Sequence, residues 1–331
     1  MMRSRLAPIV ATVALLLAAA GCAGDSSPRY DEVTAAPGTG RPTTGSSTPG
    51  PSTAVEPAVE NCNPRASLRP TGALPQPGKM PSGTWMAKIR ARGRLILGTS
   101  QDTLLFSSRN PLTGEVEGFD VDMGRMIAQA IFGDPERLQI KVIGYNERIN
   151  SVLRGEVDVV ADTMTANCAR WKDVDFSSIY YEAGQKVLVR KDSKAKSIED
   201  LGGKKICAAA GSTSYDNIGT VKSKPAPPVA VARASFGDCL VAFQQNEVDA
   251  ISTDDTILAG MAAQDPYAKV IGERYTEEPY GMAISKQHPE FTRFVNAVLE
   301  KSRKDGTWAK TYEKWLGRFG PVPQPPGAQY R

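Results

Sequence analysis

The stretch DTMTANCARWKDVDFSS, residues 162–178, sets the hydroxyls of Thr163 and Thr165 and the guanidinium of Arg170 between the apolar run VDVVA and the strand-like QKVLVR. A guanidinium offers a planar fork of donors that fits a carboxylate, whereas an ammonium is a point charge. Hydroxyls beside it can donate or accept. Together they suit recognition of a small polar ion at a strand end. On the residues alone, a surface ion pair of Arg170 with Asp173 or Asp175 is the competing reading.

Other chemistries lack parts. The single histidine, His288 in KQHPEF, precedes a terminal helix and reads as an exposed turn residue. GxSxG, HExxH and P-loop patterns are missing, and Asp254 and Asp255 are adjacent, so their carboxylates point different ways. Asp120 and Asp122 open a helix, where carboxylates favour the positive end of the dipole, and read as caps rather than metal ligands. The net charge of +4 is spread along the chain, without the basic stripe that nucleic acid requires. The expectation is a binding protein, not an enzyme, with no cofactor and no metal.

The ends suggest where it works. Met1–Arg5 is basic, Leu6–Ala20 is almost wholly apolar, and AAAGCAG follows, a pattern of an export signal too short to span a membrane comfortably. The reading is a signal peptide over 1–21 and a lipid-bearing Cys22, as in bacterial lipoproteins, although Ala19 stands where leucine is usual. Residues 22–60, rich in Pro, Gly, Ser and Thr, read as a flexible tether. Four further cysteines suit disulfides in an oxidising compartment. Cys207 and Cys239 lie at the edges of elements in one half of the chain and are paired. Cys62–Cys168 follows by elimination and would staple the tether's end to the folded body.

From about Trp85 the pattern alternates short apolar strands (RLILGT, LQIKVIG, VDVVADT, KVLVR, KKICAAA, VDAIST, GMAIS) with amphipathic helices. In GFDVDMGRMIAQAIFG, Met123, Met126, Ile127, Ala130 and Ile131 share one helical face. Such alternation implies α/β architecture with mixed, mainly parallel sheets. Its length suggests two lobes: residues 61–185 with 281–331, and residues 186–280. Crossings near Gln185–Arg190 and Pro279–Ala283 would make a two-strand hinge beside a cleft.

In order along Arg94–Gly317 stand GFDVDMGRMIAQAI, RGEVDVVADTMTANCARWKDVDFS, YYEAGQKVLV, GSTS, VDAISTDDTILAG, EEPYGMAISK and KDGTWAKTYEKWLG. Together they resemble the polar amino-acid branch (family 3) of the bacterial ABC-transporter solute-binding proteins, with wording close to the actinobacterial glutamate-binding lipoproteins. The resemblance implies the type II periplasmic-binding-protein fold and a ligand held between the lobes. It implies that Arg170 clamps the ligand's α-carboxylate, helped by the amide and hydroxyl of Thr165 and by donors on Ser212 and Thr213. It also implies that Asp254 holds the ammonium, with the carbonyl or hydroxyl of Thr163.

For the ligand's side chain the resemblance implies Tyr145 as a packing surface and Arg148 as the partner of a side-chain carboxylate. Ser100 stands where acidic-amino-acid binders often carry a second arginine, and Phe236 where some carry a histidine. One cation in place of two should narrow the preference for acid over amide. The expected ligand is glutamate or aspartate, with asparagine or glutamine tolerated. The expected partner is an ABC permease, reached by a monomer anchored to the outer face of the cytoplasmic membrane. The alternative is a sensor presenting its ligand-bound state to a membrane signalling receptor.

Overall fold

The computed structural model describes residues 62–331; the expected signal peptide, Cys22 and the tether lie outside the described residues. Two five-stranded sheets organise the body. The first has the order Leu138–Val142, Leu95–Thr99, Val159–Val160, Ala283–Ser285, Val174–Phe176. The second has the order Val229–Arg233, Lys205–Ala209, Ala250–Asp254, Gln185–Arg190, Ala268–Ile271. In each, three strands run parallel and the fourth runs antiparallel to both neighbours. The fifth strand of each therefore runs in the direction of the first three, so the sheets are mixed and mainly parallel, as expected.

Each antiparallel fourth strand is the segment with which the chain arrives from the other lobe. The crossings themselves are Tyr181–Ala183 and Glu278–Tyr280, paired antiparallel. The strand Gln185–Arg190, expected as a crossing, is therefore a member of the second sheet. The chain crosses just before it, at a three-residue segment too short to show periodicity.

The helix Phe119–Phe132 packs on the first sheet, with Met123, Ile127 and Ile131 buried and Met126 and Ala130 half-buried against the same core. It starts at Gly118, whose φ of +145° and whose absent Cβ, which would lie 2.2 Å from the Phe106 carbonyl oxygen, both demand glycine. Its Phe119 meets Phe106 and Trp308 edge-to-face and stacks on Tyr180, forming an aromatic core. The second lobe buries Leu188, Ile206, Phe236, Phe243 and Ile251. Each such side chain contributes about 1.5–3 kcal/mol relative to exposure.

Asp120 and Asp122 lie in the first turn of this helix, as expected, but their carboxylates bond other groups rather than the helix's own first-turn N–H groups. Asp120 is fully buried and accepts from Tyr180 Oη (2.7 Å) and Thr163 N (2.7 Å). Burial pushes its pKa up to about 7, against those two hydrogen bonds. Asp122 instead meets Arg125, Lys314 and Trp315.

The disulfides pair Cys207 with Cys239 and Cys62 with Cys168. The second bond fastens a strap in which Ala66–Ser67 pairs in parallel with Gln329–Tyr330. Arg65 in that strap forms ion pairs with Glu182 and Glu277, beside the two crossing segments. His288 is not a free turn residue; it is half-buried, its ring stacked on Trp85 with centroids 3.9 Å apart. Among the described residues no helix is long and apolar enough to cross a membrane.

Candidate functional site

The two lobes meet where the strand end Asp162–Thr165 of the first faces the turn Gly211–Thr213 of the second. Gly211 adopts φ +77°, and a Cβ there would lie 2.8 Å from Asn146 Cα across the cleft, so the approach requires glycine. Its carbonyl oxygen receives Arg148 Nη2 and Arg170 Nη2, each at 3.2 Å. Two cations thus converge on one neutral acceptor. Asp175, considered above as a partner of Arg170, meets Arg331 instead, and Glu147, next to Arg148 in sequence, meets Arg154.

Arg170 opens a short 3-10 turn, and its Nη1 donates to Thr165 O at 2.8 Å. Burial and then Arg148 pull its pKa down to about 9, while Glu278, Asp216 and Asp254 oppose the shift. It remains a cation at neutral pH. Arg148 is buried, with Nε on Tyr145 O and Nη1 on Asp162 O, both at 3.0 Å, and its guanidinium lies over the Tyr145 ring at 4.7 Å. Both guanidinium groups are held in place by backbone carbonyls, and neither forms an ion pair among the described residues.

Asp254 ends the central strand of the second sheet and is buried. Its Oδ2 accepts from Tyr280 Oη at 2.5 Å, while Oδ1 is buried without a partner. Burial, then the charge of Glu278, pushes this carboxyl well above the usual carboxylate range. Asp255 supplies the charge on the outer side, paired with Arg274 at 2.6 Å. Thr163 takes a left-handed backbone, φ 42°, and its buried Oγ1 also lacks a partner. A buried polar atom left unpaired costs about 1–3 kcal/mol. Unpartnered acceptors on Thr163, Asp254 and Asp162 Oδ2, with two guanidinium groups at the same cleft, suit a dipolar molecule.

The hydroxyls expected to meet a carboxylate are otherwise engaged. Ser212 Oγ donates to Ala209 O (2.6 Å) and accepts from Tyr215 N (3.2 Å), which makes it the cap of the helix Thr213–Ile218. Thr165 Oγ1 and Thr213 Oγ1 both bond Glu278 Oε2, at 2.6 and 2.8 Å. Glu278 went unnoticed in the sequence because it reads as part of a crossing segment. Its one signal is the alternation Glu278–Pro279–Tyr280, which puts Glu278 and Tyr280 on the same side of a strand.

Tyr145 reaches across the cleft. Its ring packs edge-to-face on Phe236 of the second lobe, centroids 4.9 Å apart, and its hydroxyl bonds Thr103 Oγ1 at 2.6 Å. Ser100 Oγ continues that network to Thr103 and Ser107, and its backbone N–H donates to Asp162 Oδ1 at 2.9 Å. A further contact between lobes runs from Gly237 N to Asp102 Oδ2 at 2.7 Å.

A two-lobed body whose lobes grip one polar site is the geometry of a receptor for a small solute. The model of the bacterial extracellular solute-binding proteins, family 3, matches residues 95–318, and the chain belongs to that family. It is accordingly a binding protein rather than an enzyme. The chain is 39% identical over 233 residues to the ABC transporter glutamine-binding protein GlnH of Bacillus subtilis, covering 70% of this chain and 84% of that one. It is 30% identical over 260 residues to the glutamate-binding protein GluB of Corynebacterium efficiens, covering 75% and 87%. Among solved structures, an ancestral arginine-binding protein bound to glutamine superposes with a TM-score of 0.63 at 33% identity, covering 68% of this chain and 99% of that one.

Proposed function

We propose that the protein captures a polar L-amino acid outside the cytoplasm and delivers it to an ABC permease, with glutamine preferred and glutamate accepted. The observation that carries this reading is the convergence of Arg148 and Arg170 opposite the unpartnered Oδ1 of Asp254. An α-amino acid brings a carboxylate for Arg170 and an ammonium for Asp254 and Thr163. Taking both charges out of water costs several kcal/mol per ion unless each is met. The carboxyl or carboxamide of the side chain then falls to Arg148, beside Tyr145 and Ser100. The resemblance favoured acid over amide, but relatives named for glutamine are the more similar. A lipid on Cys22 would keep the receptor at the membrane.

A ligand that binds only the folded state raises its melting temperature with concentration. A thermal-shift screen against the twenty amino acids is expected to give its largest shift with glutamine and a smaller one with glutamate. A flat response to all twenty would overturn the reading, and a largest response to arginine would overturn the choice of ligand.

A further inference from the structure

Glu278 accepts hydrogen bonds from both lobes. Oε2 takes Thr165 Oγ1 from the first lobe and Thr213 Oγ1 from the second. Oε1 takes Thr276 Oγ1 at 2.8 Å and Asn217 Nδ2 at 3.2 Å. The orientation of Asn217 is fixed by its neighbours, because the same Nδ2 meets Gln185 Oε1, whose own Nε2 donates to Ser214 O. The amide end of Asn217 therefore faces Glu278, and the carboxylate sits among four donors.

A threonine hydroxyl has one proton. At 2.6 and 2.8 Å, against 3.4 Å between the two hydroxyls themselves, Thr165 and Thr213 spend theirs on Glu278. What each hydroxyl then presents to the cleft is lone pairs. Such oxygens cannot donate to a ligand carboxylate; they accept from an ammonium. Two residues further along the same strand, Tyr280 fixes Asp254 through Oδ2 and leaves Oδ1 open.

We propose that Glu278 is a positioning residue that polarises Thr165 and Thr213 into acceptors, so that this strand, together with Asp254, builds the ammonium half of the site. The proposal rests on the amino-acid reading above. It reassigns the two hydroxyls from the carboxylate, where the family resemblance put them, to the ammonium. The carboxylate is then left to Arg170 and backbone N–H groups.

The test compares L-glutamine with its α-hydroxy analogue, in which a neutral hydroxyl able to donate or accept replaces the ammonium. Both are titrated calorimetrically into wild type, E278Q and E278A, with melting temperatures measured in parallel. In E278A the affinity for glutamine should fall at least tenfold and that for the hydroxy analogue less than threefold. E278Q keeps the shape of the side chain and should show the same inequality if E278A fails to fold. Equal losses for both ligands, or no loss in either folded variant, would overturn the proposal while leaving the amino-acid reading intact. Failure of wild type to bind either ligand would overturn both.

Discussion

Arg148 and Asp254 show how far a residue's type alone can be read. The type of Arg148 is compatible with a solvated helix face, yet it is buried with its donors on the carbonyls of Tyr145, Asp162 and Gly211. Its replacement by Ala should cost glutamate about tenfold more affinity than glutamine, since only the acid forms a charge-assisted pair with it; equal losses by calorimetry would remove Arg148 from side-chain recognition. Asp254→Asn should raise the melting temperature of the ligand-free protein, because it relieves a buried carboxyl with an unpaired oxygen. The same change should weaken glutamine binding roughly a hundredfold, on the 2–5 kcal/mol scale of a broken buried charge pair. Asp120 sets a pH dependence of stability. Its pKa rises from 3.8 to about 7 on burial, so between those values the folded state holds a proton that the unfolded state has lost. Stability contributed by that proton is present at acid pH and declines as pH climbs towards 7, by up to about 1.4 kcal/mol per pH unit. Asp120→Asn should flatten that slope in denaturant titrations across the window; an unchanged slope would assign it to other groups. The sequence led to a cap at Asp120 because a carboxylate in a first helical turn looks the same whether it faces solvent or a buried tyrosine.

At the scale of elements, periodic signals were legible and short ones were not. The helix Phe119–Phe132 followed from its apolar face, and both disulfide pairs match their expected partners. The hinge was misplaced at Gln185–Arg190 because that segment alternates convincingly as a strand, whereas Tyr181–Ala183 is only three residues long. The contribution of Glu278 was hidden for a related reason. It lies 113 residues from Thr165 in sequence, and only pairing of the two crossing segments brings it into the site. Two elements carry stability predictions. Removing Cys207–Cys239, which closes a 32-residue separation between a strand and a helix of the second lobe, should cost about 2–5 kcal/mol in reversible unfolding. Gly118→Ala should cost more than the roughly 1 kcal/mol of an ordinary glycine substitution, because the new methyl would meet the Phe106 carbonyl. A loss no larger than that would mean the turn can yield.

The whole molecule joins two similar lobes through paired crossing segments, with polar groups from both converging on one cleft. Contacts such as Gly237 N to Asp102 and Tyr145 to Phe236 form only when the lobes are together. A ligand gripped by Arg170 on one side and Asp254 on the other shifts the population towards that state. Small-angle scattering should therefore report a smaller radius of gyration with saturating glutamine than without it, and no change would argue for a body that is already closed. The alternation of strands and helices, and the seven motifs standing in the order of a known family, pointed to this architecture; the bonding direction of each hydroxyl depended on partners that no local pattern reveals. The most direct test is calorimetric titration of residues 62–331 with L-glutamine, beside the variant Arg170→Ala. Wild type should bind saturably, and the variant should bind at least a hundredfold more weakly, as expected when a fork-like cation is removed from a desolvated carboxylate. Equal affinity in both proteins would contradict the clamp and place the ligand elsewhere on the molecule.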